Sequence, residues 1–104
     1  MKKPKKQLTA TQTPAWIAQE KIKNLRMMID QLDDMMIQTV VQRMTVSRTI
    51  GKIKKQHAMK VKDAKREKDL QKFHRNLAKK YGITYPTLQK IFALVMQESK
   101  RIQK

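Results

Sequence analysis

The chain has 104 residues, a mass of 12.3 kDa and 39% apolar residues, which allows one small domain and excludes two. Its 25 Lys and Arg outnumber 8 Asp and Glu, giving a formal net charge of +17, so we expect an anionic ligand. The absence of Cys excludes disulfides, thiolate zinc sites and cysteine nucleophiles.

The first 14 residues differ in composition from the rest of the chain. Residues 1–14 are basic, contain Thr and Pro and show no apolar period, so we predict a disordered leader before one domain at residues 15–104. The opening MKKPKK resembles the start of an export signal, but no apolar run of the required length follows. No segment approaches the roughly 18 apolar residues of a membrane span. We therefore expect a cytoplasmic protein that does not act on a membrane.

The first predicted element is one long helix. Two Gly and three Pro are too few for strands joined by tight turns, which favours an all-α fold. Apolar residues recur every three or four positions from about Trp16 to about His57, without a Pro. They include Leu25, Ile29, Leu32, Met36, Val40, Met44, Ile50 and Ile53. About 42 residues extend roughly 63 Å, more than a chain of this size can cover, so a second chain must cover the rest.

Two shorter helices are predicted after a basic loop at residues 58–62. Asp63 is placed to cap the second helix and Gly82 to end it. Thr84 is placed to cap the third, with Pro86 in its first turn. The apolar stripes comprise Leu70, Phe73, Leu77 and Tyr81 on the second helix, and Leu88, Ile91, Phe92, Val95, Met96 and Ile102 on the third. The prediction is a three-helix subunit, long then short then medium.

Each predicted helix also has a face that mixes polar with apolar residues. The faces consist of Arg43, Ser47, Ile50 and Lys54 on the first helix, Asp63, Arg66, Glu67 and Leu70 on the second, and Met96, Ser99 and Gln103 on the third. A buried polar group costs about 1–3 kcal/mol unless it finds a partner. Three such faces together therefore predict a polar pocket between the helices.

Arg26 adds a separate geometric argument. It stands 17 residues before Arg43, so about 25 Å of helix axis separates the two residues. If both cations serve one small site, two chains build it.

Several short elements follow the pattern of one family. They are Leu25, Arg26, Ile29 and Asp33; then Arg43; then Gly51, Lys52 and Lys54 in IGKIK; then Asp63, Arg66 and Glu67 in DAKRE; and finally Phe92, Ser99 and Gln103. In these residues and their spacing the chain resembles the all-helical chorismate mutases in their compact bacterial form. The resemblance covers about three-quarters of the chain, from Leu25 to Gln103.

The resemblance implies an intertwined homodimer of three-helix subunits. Its reaction would convert chorismate to prephenate, in phenylalanine and tyrosine biosynthesis on the shikimate pathway. It also implies a monofunctional enzyme, and we expect no dehydratase, dehydrogenase or regulatory domain after Lys104. The rearrangement is pericyclic and needs neither nucleophile nor general base, so no cofactor and no metal is expected. We expect His57 and His74 to be surface residues, since no carboxylates accompany them at ligand spacing.

The resemblance also implies roles for individual residues toward the dianionic substrate. Arg43 and Arg26 of the partner subunit would clamp carboxylates, because guanidinium groups bind carboxylates bidentately. Lys54 and Gln103 would donate to the ether oxygen, and Glu67 would accept from the ring hydroxyl. The expected catalytic residues are Arg43, Lys54, Glu67 and Gln103; the further substrate-binding residues are Arg26, Asp63, Arg66 and Ser99; and the pocket wall is Ile50, Leu70 and Met96. Ser47 and Lys100 are more polar than the family pattern leads us to expect, so pocket polarity should differ.

Two other functions compete with this interpretation. Isochorismate pyruvate-lyase uses the same scaffold, but Glu67 favours the mutase because we expect the lyase to lack this carboxylate. A basic helical dimer that binds nucleic acid is suggested by eight Lys and Arg against two acidic residues between Lys52 and Lys68. Aromatic residues make up only 5% of the chain and no nucleic-acid-binding motif is evident, so we expect no nucleic-acid partner.

Overall fold

A computed structural model describes residues 13–102, with side chains through Arg101. Its helices are α1 (Ala15–Gln56), α2 (Ala64–Tyr81) and α3 (Tyr85–Ile102), and the described residues contain no strand. The predicted all-α fold of three helices is confirmed, although α2 and α3 have equal lengths of 18 residues. Along this part of the chain, none of the helices combines the length and apolarity that a bilayer span requires. Residues 1–12 of the predicted leader, and Gln103, lie outside the described residues.

The described residues divide into two units within α1, residues 13–38 and residues 39–102. The described part of the first unit is the amino-terminal part of α1, and none of its side chains is buried. Several of its large apolar side chains, among them Leu25, Ile29 and Leu32, are more than half exposed. Exposed apolar surface of this extent is typical of an interaction surface.

The second unit contains the buried residues of the described chain. Its buried apolar residues are Met44 from α1, Ala78 from α2 and Leu88 from α3. Two polar residues, His74 on α2 and Ser99 on α3, are also buried. Helices α2 and α3 pack against each other across a short turn. The second unit therefore has a small core to which all three helices contribute.

Helix α2 buries only part of the face that was predicted, since Leu70 and Leu77 are half-buried but the other two residues of the stripe are exposed. Phe73 and Tyr81 are 55% and 66% exposed. His74 and Ala78 are buried instead, in line with half-buried Leu70 at four-residue spacing. The predicted stripe was wrong at Phe73 and Tyr81, because a histidine takes a place in the core that an apolar ring was expected to fill.

The two ends of α2 follow the sequence prediction. The Asp63 carboxylate accepts a hydrogen bond from the Arg66 backbone N–H at 3.1 Å, which caps the helix. Gly82 ends the helix in the left-handed region with φ 70°. Its N–H and that of Ile83 both donate to the Ala78 carbonyl, which satisfies an otherwise unpaired group of the last turn.

Helix α1 ends in the same kind of turn, but on an alanine. Ala58 has φ 51°, a conformation in which glycine is usual. The Ala58 N–H donates to the Lys55 carbonyl at 3.3 Å, and the Met59 N–H donates to the Lys54 carbonyl at 2.8 Å. This pair of bonds is the Schellman pattern of a helix end. It turns the chain back toward α1.

The left-handed conformation of Gly82 and Ala58 leads to two predictions about stability. Replacing Gly82 by alanine should destabilise the protein, whereas replacing Ala58 by glycine should stabilise it. Gly82→Ala should lower the free energy of unfolding by about 1 kcal/mol, because an L side chain disfavours this conformation. An added Cβ at Gly82 meets no atom within 4 Å, so the effect is one of the backbone alone. Ala58→Gly should raise stability by a smaller amount, since the freer unfolded chain offsets part of the gain. Urea unfolding at one fixed protein concentration measures both changes. A destabilised Ala58→Gly variant would contradict the prediction.

Candidate active site

A cavity of about 350 Å³ lies in the second unit, bordered by α1, the loop before α2, and helices α2 and α3. Its size falls within the range of about 300–1,000 Å³ that small-molecule sites occupy. Eight of the eleven site residues predicted from sequence line it: Arg43, Lys54, Asp63, Arg66, Glu67, Leu70, Met96 and Ser99. Residues from all three predicted polar faces therefore meet in one place.

Of the other three predicted residues, the two that the structure describes, Arg26 and Ile50, do not line this cavity. Arg26 lies in the first unit and is exposed. Ile50 is 49% exposed and is absent from the cavity lining. Gln103 lies outside the described residues.

Charge in the cavity is strongly positive. The lining contains five cations and two carboxylates: Arg43, Lys54, Lys62, Arg66 and Lys100 against Asp63 and Glu67. The formal sum is +3, which favours an anion with more than one negative charge.

Lys54 is the cation whose position the fold specifies most directly. Its side chain is half-buried, and its Nζ donates to the Val61 backbone carbonyl at 3.1 Å. The turn at Ala58 makes this contact possible, because it returns the chain toward the last turn of α1. An ammonium group has three N–H donors. The contact with Val61 fixes the nitrogen beside the cavity and leaves it capacity to donate to a ligand.

The first turn of α2 supplies three charged lining residues. Asp63 commits a carboxylate oxygen to the helix cap, so its structural role is plain. That cap sets where α2 begins, and thereby places Arg66 and Glu67 at the cavity. Both side chains are exposed in the single chain, so a ligand can reach them.

Ser99 is the buried polar residue of the cavity lining, with an exposed fraction of 5%. Its hydroxyl donates to the Val95 carbonyl one turn earlier, at 3.0 Å. The proton is thus directed to the helix backbone, and the hydroxyl oxygen keeps its lone pairs for another donor.

Arg43 contacts an aromatic pair next to the cavity. Its guanidinium carbon lies over the Phe92 ring, 5.6 Å from the ring centroid. The His74 ring stacks on the same Phe92 ring, with centroids 4.0 Å apart and planes 16° apart. His74 is only 8% exposed, so the prediction of a surface histidine was wrong, whereas His57 is exposed as predicted.

The surroundings of His74 disfavour its protonated form. Burial lowers its pKa from the ordinary value of 6.5, and the positive charges of Arg43 and Arg66 lower that pKa further. Between pH 6.5 and the lowered value, the unfolded chain binds a proton that the folded chain does not. Stability contributed by neutral His74 is therefore present above pH 6.5 and is lost as pH falls through the folded pKa.

We expect the free energy of unfolding of His74→Leu to depend less on pH than that of the wild type as the pH falls below about 6.5. The control is His57→Leu, which replaces an exposed histidine and should keep the wild-type dependence. Urea unfolding at several pH values and one protein concentration measures all three. Equal pH dependence in the two variants would show that His74 is not the responsible group.

The lining residues are suited to binding and orienting an anion. No histidine or cysteine is among them, so neither Ser47 nor Ser99 has the adjacent base that an activated hydroxyl needs. Guanidinium and ammonium groups instead offer charged donors around a partly apolar space. Among the residues that the structure describes, there is also no group of three or more side chains able to hold a metal ion.

Sequence reasoning did not identify every lining residue. Ser47 and Lys100 were recognised as unusually polar, and both line the cavity. Val61 and Lys62 were not singled out, although they also line it. Lys62 belongs to a lysine-rich loop in which no spacing distinguishes one lysine from another. His74 could have been identified, because it stands four residues from both Leu70 and Ala78.

Comparison with known proteins adds independent information about the chain. Residues 25–104, which include all eleven predicted site residues, match the family described as Chorismate mutase type II. A Chorismate mutase of Methanocaldococcus jannaschii is 27% identical over 85 residues, covering 82% of this chain and 86% of that protein. The T-protein of Haemophilus influenzae is 32% identical over 80 residues, covering 77% of this chain but only 21% of its own length. No solved structure gives a significant match.

Proposed function

This chain belongs to the chorismate mutase type II family, and from that premise we propose that its cavity converts chorismate to prephenate in aromatic amino acid biosynthesis. The family match and the similarity to the Chorismate mutase of Methanocaldococcus jannaschii support this isomerase activity. The observation that carries the proposal is the cavity of about 350 Å³ with its surplus of positive charge. Chorismate, with two carboxylates, supplies the negative charge that this lining favours.

Arg43 is proposed as a carboxylate clamp. Arg43 is half-buried and lines the cavity, and its guanidinium lies over the Phe92 ring. A guanidinium forms two parallel hydrogen bonds with a carboxylate, which fixes the orientation of the carboxylate as well as its position. Holding the flexible ether side chain of chorismate over its ring brings the reacting atoms to a near-attack distance.

Arg26 of the partner subunit is proposed as the second clamp, in an intertwined homodimer. Support comes from the first unit, where none of the described side chains is buried and large apolar ones such as Leu32 and Met36 are more than half exposed. A second copy of α1 offers a matching apolar surface. We extend the proposal to Ile50, whose role as pocket wall requires the second chain, since Ile50 does not line the cavity of one chain.

Lys54 is proposed to donate to the ether oxygen, together with Gln103. Negative charge grows on this oxygen as the C–O bond breaks, so a donor fixed there stabilises the transition state more than the ground state. The hydrogen bond from Lys54 to Val61 supports this role, because it holds the ammonium in place before the substrate arrives. The role of Gln103 rests on the family resemblance.

The remaining lining residues are proposed to complete the site. Glu67 accepts a hydrogen bond from the ring hydroxyl of the substrate. Arg66 and Ser99, together with Asp63, form the polar part of the cavity wall. Leu70 and Met96 line the same cavity and exclude water from the reacting atoms, which strengthens the charged interactions. We further propose a cytoplasmic location, supported by the lack of an apolar run after MKKPKK.

Product analysis tests the proposed function. The full chain is incubated with chorismate and, separately, with isochorismate, beside mixtures without enzyme that correct for spontaneous rearrangement. We expect prephenate from chorismate and no pyruvate above background from isochorismate. Release of pyruvate from isochorismate without accelerated loss of chorismate would instead indicate the lyase. Absence of both reactions would contradict the proposal.

A further inference from the structure

His74, which stacks on the Phe92 ring beneath Arg43, has no role in the proposed chemistry. His74 does not line the positively charged cavity but a neighbouring one of about 370 Å³, which also contacts Phe92. Its ring stacks on Phe92 at 4.0 Å, and the Arg43 guanidinium carbon lies 5.6 Å from the same ring centroid. Phe92 therefore links a buried histidine on α2 to a cation on α1.

We propose that His74, acting through Phe92, positions the Arg43 guanidinium for a substrate carboxylate. This inference rests on the proposed function, because it assigns Arg43 a carboxylate to bind. His74 touches neither the substrate cavity nor the reacting atoms, so it is a positioning residue and not a catalytic one. Its flat ring limits how the Phe92 ring can tilt, and the orientation of Phe92 sets the surface on which the guanidinium rests.

Preorganisation explains why such a contact matters. Immobilising an Arg side chain costs conformational entropy, because several rotatable bonds lose their freedom. A guanidinium already held over an aromatic face meets part of this cost before the substrate binds. Arg75 over the Tyr85 ring makes a similar contact at 5.0 Å, but neither residue lines the positively charged cavity.

The charges around His74 suit this role in its neutral form. Arg43 from α1 and Arg66 from α2 act against protonation, as does burial, and the pKa is lowered. Glu67 of α2 and Tyr85 of α3 line the same neighbouring cavity. A neutral imidazole can stack on Phe92 without repelling the guanidinium that it helps to position.

Two substitutions at His74 separate a stacking role from simple filling of space. His74→Leu fills a similar volume with an apolar side chain but removes the flat ring. His74→Phe keeps a flat ring that can stack on Phe92. We expect His74→Leu to lower kcat/KM for chorismate about 3- to 10-fold, mainly through KM, because Arg43 holds the carboxylate before and during the reaction. His74→Phe should stay within about 2-fold of the wild type.

A double-mutant cycle with Arg43→Lys tests whether the effect passes through the guanidinium. In the Arg43→Lys background, which lacks the planar fork, His74→Leu should change kcat/KM by less than about 2-fold. An equal loss in both backgrounds, or a His74→Phe variant as impaired as His74→Leu, would overturn the inference and leave His74 a structural residue. Urea unfolding of each variant shows whether it is folded under assay conditions.

An NMR measurement distinguishes failure of this inference from failure of the proposed function. The Phe92 ring should shift the Nε proton resonance of Arg43 upfield in the wild type and in His74→Phe, but less in His74→Leu. The same resonance position in all three proteins would overturn the inference even if chorismate is converted. A shift that follows the stacking, without any turnover by the wild type, would support the contact while the proposed function fails.

Discussion

Arg43→Ala is expected to lower kcat/KM for chorismate by about 10³-fold, because it removes a charged, bidentate donor from a partly desolvated site. Arg43 is half-buried and lines the cavity, where the surrounding protein screens its charge less than water does. Its loss also reduces the surplus of positive charge that attracts a dianion. Arg43→Lys should fall between the wild type and Arg43→Ala, because an ammonium keeps the charge but not the fork.

The matched control for Arg43→Ala is Arg75→Ala. Arg75 also lies over an aromatic ring in the second unit, but it does not line the cavity. We expect Arg75→Ala to retain kcat/KM within about 2-fold, since it removes the same side chain away from the site. Steady-state assays of chorismate loss measure both variants. If Arg43→Ala and Arg75→Ala were equally active, Arg43 would not be the clamp.

Lys54→Met is expected to lower kcat by about 10²- to 10³-fold, with a smaller change in KM. The physical reason is that charge on the ether oxygen develops only as the bond breaks, so the ammonium contributes mainly to the transition state. Methionine keeps an unbranched side chain of similar length but removes the hydrogen bond to the Val61 carbonyl. Part of the loss can therefore come from the loop that contains Val61.

Lys55→Met is the control for removing a positive charge at this end of α1. Lys55 is the next residue of α1; it is exposed and does not line the cavity. The exchange removes the same charge from the same helix end, so general effects on the net charge and on the last turn are shared. We expect kcat of Lys55→Met to remain near that of the wild type. A raised KM with unchanged kcat in Lys54→Met would indicate ordinary substrate binding instead of transition-state stabilisation.

Local signals in the sequence predict the helices well. The start of α2 at Asp63 and its end at Gly82 follow from capping chemistry that involves neighbouring residues only. The long α1 follows from an apolar period uninterrupted by Pro. Spacing along each helix also placed the three polar faces correctly enough for eight predicted residues to meet in one cavity.

Features that depend on packing between helices were predicted less well. The periodicity of α2 allowed Phe73 to face the core, but the structure buries His74, because Phe92 of α3 offers a ring against which an imidazole stacks. Sequence spacing within one helix cannot show what the next helix presents. Lys62 illustrates the same difficulty, since its place at the cavity depends on the turn at Ala58, a left-handed residue that is not glycine.

The proposed second chain explains three features of the single chain. Arg26 and Ile50 do not line the cavity of a single chain, and the exposed apolar face of the first unit has no cover within that unit. A site shared between two subunits gives all three features one cause. It also requires that each site contain Arg43 from one subunit and Arg26 from the other, which a single-chain site does not require.

Mixing two variants that are each inactive alone tests directly whether a site is built from both subunits. Arg26→Ala and Arg43→Ala are purified separately, combined in equal amounts, partly unfolded and refolded so that subunits exchange, and assayed for chorismate loss. Each mixed dimer contains one site with both arginines and one with neither, so the mixture should regain about a quarter of the wild-type activity, while each variant treated alone stays inactive. A mixture that remains as inactive as its two components, although mixed dimers are shown to have formed, would contradict a site built by two chains.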